Sequence, residues 1–82
     1  MTNSIYTNEM LALRLWLKNQ RKSQKISMRH LAERMDKPHS FIQKVEQGER
    51  RLDVVEYVWY CSALGINPQT GIDLVKQHYL HK

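Results

Sequence analysis

Thirteen lysines and arginines, eight carboxylates, four histidines and one cysteine are the groups through which this 82-residue chain could do chemistry. The histidines, His30, His39, His78 and His81, have no spaced cysteine or carboxylate set to complete a zinc site. His78-x-x-His81 reads as two histidines at a helix end rather than a ligand pair. Cys61 stands at helical spacing beside Val58 and Leu64, which makes it a buried structural thiol and not a nucleophile. A lone cysteine also rules out an internal disulfide framework. Three isolated glycines, placed at helix ends or starts, form neither a phosphate loop nor a dinucleotide fingerprint. So small a core leaves little room for a shaped, water-excluded pocket. The chain is expected to be no enzyme and to need no metal or cofactor.

Charge and hydrogen bonding remain. The formal net charge is +5, unevenly spread: residues 14–51 hold eleven basic side chains against four acidic ones, a net of +7, whereas residues 52–82 sum to −1. A polyanion suits the first stretch better than the bland alternative of a basic face that only aids solubility. No apolar run approaches the ~20 residues of a membrane span. Met1-Thr2-Asn3-Ser4 opens with neither the basic nor the apolar part of a signal peptide. A cytoplasmic location and no membrane partner are expected.

Helices must position these groups, because sustained period-two alternation and hairpin turns are both missing from the sequence. Thr7 or Asn8 caps a first helix through Met10, Leu13, Leu17 and Arg21. Ser27 caps a short second helix over residues 28–35, with Leu31, Ala32 and Met35 on one face. Asp36-Lys37-Pro38 breaks it, and a third helix runs to about Gln47, ended by Gly48. Asp53 and Glu56 form a capping box for a fourth helix over 54–64, closed by Gly65. Asn67-Pro68 starts a fifth. The expectation is one all-α domain of five helices over residues 1–82. Its second and third helices make a helix-turn-helix. With Ile42 and Val45 turned inward, His39, Ser40, Gln43 and Lys44 face out, all able to hydrogen-bond. Reading base edges in a major groove ~12 Å wide needs such a face.

The spacing as a whole resembles the Cro/repressor-type (Xre) helix-turn-helix family. The resemblance runs from about Leu13 to Ile66, through Arg21, Ser27-Met28-Arg29-His30-Leu31-Ala32-Glu33-Arg34-Met35, Phe41-Ile42-Gln43-Lys44-Val45-Glu46-Gln47-Gly48-Glu49-Arg50-Arg51 and Ala63-Leu64-Gly65-Ile66. It implies that His39, Ser40, Gln43 and Lys44 face bases. Ser27, Met28 and Arg29 at the start of the second helix, with Arg50 and Arg51 in the following loop, would meet the DNA backbone. Arg21 and Glu46 would form a partly buried scaffold ion pair. Three positions depart from the family pattern: Asp36 and Lys25 stand where glycine is usual or frequent, and Met28 where many members carry glutamine.

The fourth helix is apolar beyond a single face. If Val54, Tyr57, Val58, Cys61 and Leu64 turn inward, Val55 and Trp59 lie together on another side. With Ile72, Val75 and Tyr79 from the fifth helix they form an aromatic patch outside the basic half, suited to a homodimer interface. Members of the resembled family usually dimerise through these helices. The C-terminal helix, 68–80, thus serves packing or dimerisation. The expected function is sequence-specific binding of double-stranded DNA by a homodimeric transcriptional regulator, a repressor at an operator. A second reading stays open: the antitoxin of a toxin–antitoxin module, binding a protein toxin as well as its own promoter. RNA binding fits least, because the aromatic and basic residues lie mainly apart.

Overall fold

Four of the five helices start where a side chain satisfies an orphan N–H group. A computed structural model describes residues 7–80; Met1 to Ser4 and His81, considered above, lie outside them. Helix α1 (Asn8–Ser23) is capped by Thr7, whose Oγ1 accepts from Met10 N–H at 3.2 Å. Ser27 Oγ does the same for α2 (Met28–Arg34), accepting from His30 N–H at 3.0 Å. Helix α3 (His39–Glu46) follows extended Pro38 and has no side-chain cap. Helix α4 (Val54–Leu64) opens on a complete capping box, Glu56 N–H donating to Asp53 Oδ1 at 2.7 Å and Asp53 N–H to Glu56 Oε1 at 3.1 Å. Helix α5 (Pro68–Leu80) begins with Gln69 N–H donating to Asn67 Oδ1 at 2.9 Å. Among the described residues there is no strand.

Left-handed residues make the turns between them. Gly48 and Gly65 have φ of 78° and 67°, and two non-glycine residues join them: Lys25 at 58° and Asp36 at 55°. Two of the turns are thus closed by a lysine and an aspartate in the conformation that glycine adopts most easily.

One core collects the inner faces: Leu13 and Leu17 of α1, Ile26 ahead of α2, Leu31 and Ala32 of α2 with Met35 at its end, Phe41, Ile42 and Val45 of α3, and Tyr57, Tyr60, Cys61 and Leu64 of α4. Two side chains seal the end of α4: Gln24, just past α1, donates from Nε2 to Leu64 O at 2.7 Å, and Arg34 of α2 donates from Nη1 to Ala63 O at 2.9 Å. Helix α5 lies along α1, and Gly71 sets how closely. It is buried in the first turn of α5, where a Cβ would run into the Tyr57 hydroxyl and stand 2.7 Å from Trp16 Cζ3.

The fourth helix is rotated from its expected setting. Val54 and Val58 are 78% and 42% exposed rather than inward, while Glu56 and Tyr60 take inner positions. The cause is polar. Tyr60 is wholly buried and its hydroxyl donates to Glu46 Oε2 at 3.3 Å, while Glu56 turns in to meet Arg50. A helix apolar on every side gives periodicity no grip, so these hydrogen bonds choose the rotation.

Candidate nucleic-acid interface

The turn between α2 and α3 is tied on its inner side. Asp36 N–H donates to Glu33 O at 3.1 Å and Lys37 N–H to Ala32 O at 2.9 Å, which places His39 directly after the break. Phe41, Ile42 and Val45 anchor α3 in the core. His39, Ser40, Gln43 and Lys44 are all exposed on its other side. Gln47, one turn beyond Gln43 and also exposed, extends the same row. Sequence reasoning missed it, although its spacing from Ser40 and Gln43 is the signal. The row offers donors and acceptors and little apolar surface.

A buried network fixes this helix from behind. Arg21 of α1 donates from Nε to Glu46 Oε2 at 2.6 Å and from Nη2 to Glu46 Oε1 at 3.0 Å, and its Nη1 donates to Ile26 O at 2.8 Å. Tyr60 completes it from α4. Donation to Glu46 raises the Arg21 pKa above its ordinary value, and burial raises that of Tyr60. Bidentate pairing of this kind fixes direction as well as distance. Removing one partner strands the other charge, typically costing ~3–5 kcal/mol.

At the start of α2, Ser27 and Arg29 are exposed, whereas the Met28 side chain packs partly against the core. The two arginines of the α3–α4 loop differ. Arg51 is exposed. Arg50 donates to both Glu56 oxygens, at 2.9 and 2.7 Å, and its guanidinium lies 4.7 Å from the centre of the Phe41 ring. That hydrogen bond holds the Glu56 carboxyl down to about 2. On the other side of the turn, Lys37 Nζ stands 5.5 Å from the Phe41 ring and 5.4 Å from that of Trp59. Cations and rings thus alternate from Arg50 through Phe41 and Lys37 to Trp59, joining α3 to α4. Nothing in the spacing of Lys37 announces that role.

The remaining apolar candidates divide. Val55, Trp59, Ile72 and Tyr79 are exposed, Trp59 at 49%, while Val75 packs partly on the core. Val54 and Val58 join Val55 and Trp59 to make one side of α4 apolar and solvent-facing. Among the described residues no cluster of His, Cys, Asp and Glu could hold a metal, and no helix is long and apolar enough to cross a membrane.

Comparisons with known proteins point one way. A helix-turn-helix family model matches residues 17–70. An XRE-family like protein from Pseudomonas syringae is similar in structure, with a TM-score of 0.79, 33% identity and 84% of each chain covered. The restriction-modification controller protein C.AhdI from Aeromonas hydrophila shares the fold at a TM-score of 0.73 and 23% identity, over 79% of this chain and 98% of its own. The clp gene regulator ClgR from Corynebacterium glutamicum does so at a TM-score of 0.75 and 20% identity, over 87% and 92%. No curated protein sequence matches the chain.

Proposed function

The chain belongs to the XRE family of helix-turn-helix DNA-binding regulators, and from that premise we propose that it represses transcription as a homodimer seated on an operator. The observation that carries the reading is the exposed row on α3, backed by a buried ion pair and presented one turn after α2. His39, Ser40, Gln43 and Lys44 read base edges. The backbone N–H groups at the start of α2, the Ser27 hydroxyl, Arg29 and Arg51 meet phosphates and set the register. Arg50 contributes by holding the loop through Glu56 and Phe41, with its remaining exposed edge toward the backbone. Val55 and Trp59, with Ile72, Val75 and Tyr79, face the twofold mate. Occupancy of the operator is the whole mechanism.

Selecting bound duplexes from a random DNA pool tests this. An inverted repeat with half-sites about one helical turn apart is the expected product. A pool that never enriches sinks sequence-specific binding, and an enriched site without symmetry sinks the dimer. The apolar side of α4 also suits a protein of another kind, as in the antitoxin reading. A second, toxin-like protein that co-purifies stoichiometrically would favour that reading.

A further inference from the structure

Helix α3 starts without a side-chain cap, after extended Pro38. The residue before that proline, Lys37, ties the turn down in another way. Its N–H donates to Ala32 O at 2.9 Å, and its Nζ stands 5.5 Å from the centre of the Phe41 ring and 5.4 Å from that of Trp59. No carboxylate pairs with it among the described residues. The two rings differ in their surroundings: Phe41 is buried, whereas Trp59 is half-exposed on the apolar side of α4. A groove of about 550 Å³ opens beside the contact, walled by Met35 and Lys37 from the turn and by Trp59 and Ala63 from α4. Water therefore reaches Lys37 and Trp59 where they meet, and a second copy laid on α4 shuts it out.

We propose that Lys37 is a positioning residue through which pairing of two copies over Trp59 strengthens the grip of α3 on DNA. The inference rests on the proposed dimer and on the DNA-binding reading, and adds a link between them inside one protomer. A cation over an aromatic face is held more weakly where water reaches it than where water is excluded. Covering Trp59 therefore deepens the well in which the Lys37 ammonium sits. Only Pro38 separates Lys37 from His39, the first residue of α3 and of its exposed row. Holding the lysine thus holds the uncapped start of that helix. Binding free energies are reciprocal, so DNA on α3 tightens the pairing by the same factor that pairing tightens DNA binding. The gain on desolvating one such contact corresponds to about five- to tenfold.

The test uses a short duplex carrying a single half-site, which no mate can bridge. Sedimentation measures the dimer dissociation constant with and without a saturating amount of that duplex, for wild type, Lys37→Gln and Lys37→Arg. Repulsion between the two bound duplexes is common to all three and cancels in the comparison. The half-site should tighten wild-type pairing by about five- to tenfold relative to Lys37→Gln. Lys37→Arg keeps a cation that stacks on aromatic rings and should retain the tightening. Helical content should be unchanged in both variants, since Lys37 lies outside the core. A Lys37→Gln protein that loses half-site affinity yet keeps the wild-type tightening makes the lysine a backbone contact only, and overturns the link. So does a Lys37→Arg protein that behaves like Lys37→Gln. Wild-type protein that stays monomeric overturns the dimer instead, and wild-type protein that binds no duplex overturns the DNA-binding reading. Both of those failures are visible before any variant is made.

Discussion

Lys25 and Asp36 turn the chain through a left-handed conformation that costs most residues about 1–2 kcal/mol. Glycine relieves that strain and loses some unfolded-state entropy in exchange. Lys25→Gly should therefore raise stability by about 0.5–1 kcal/mol in a denaturant titration. Asp36→Gly should gain less, because aspartate tolerates this region better than lysine. A lower midpoint for Lys25→Gly would mean that its side chain holds the turn in some other way. On the reading face, Lys44→Ala should weaken the selected site by about 1–3 kcal/mol and relax preference at one base position. Equal loss on random DNA would make Lys44 a phosphate contact. How far residue types reveal geometry differs from one residue to the next. His39, Ser40, Gln43 and Lys44 are legible as an outward row because Ile42 and Val45 fix which way is in. The third member of the Arg21–Glu46 network, Tyr60, is not legible, because a tyrosine's need for a partner says nothing about where that partner stands.

At the scale of the helices, boundaries follow local chemistry and rotations follow tertiary chemistry. The capping box, the serine and threonine caps and Asn67-Pro68 mark where α1, α2, α4 and α5 begin, since each motif satisfies N–H groups within its own segment. The facing of α4 depends on Glu46 and Arg50, remote or in a loop, and no local pattern encodes it. Gly71 shows the same limit: a glycine in a first helical turn looks like a start signal, yet its role is to let α5 approach α1 and Tyr57. Gly71→Ala should destabilise by about 1–3 kcal/mol, as overpacking does, despite alanine's advantage of about 1 kcal/mol in helix propensity. A gain in stability would mean that α5 rides outward at no cost. The Glu56 carboxyl sits at about 2 in the folded protein because Arg50 donates to it. A depressed carboxylate stabilises the fold above its unfolded value, and that contribution disappears as pH falls toward 2. Stability should drop across this acid range, and Glu56→Gln should flatten the drop while lowering stability at neutral pH. An acid profile identical to the wild type would remove the pair from the balance.

At the scale of the whole molecule, the exposed polar row lies on α3 and the apolar solvent-facing side on α4. Trp59→Glu should leave a folded helical monomer, because the core runs through Leu17, Leu31, Ile42, Val45 and Tyr60 and needs no exposed ring. In the proposed dimer, operator affinity should then fall steeply, since two weak half-site contacts joined together would supply most of the binding. Sedimentation, circular dichroism and DNA binding together decide: an unfolded chain, or a dimer of undiminished affinity, places Trp59 elsewhere. Loss of its contact with Lys37 would add a smaller shift at the turn before α3. Cys61 is set apart from all of these surfaces. It is the one thiol in the chain, wholly buried, with its pKa pushed up by that burial. A water-soluble alkylating reagent therefore meets it only when the core opens. Its rate of modification becomes a clock for the open state, read by mass and needing no label. A ligand that binds only the folded form slows that clock in proportion to its occupancy. The protein thus carries a built-in assay for whatever duplex or partner it recognises, and the same cysteine can rank candidates by the protection they give.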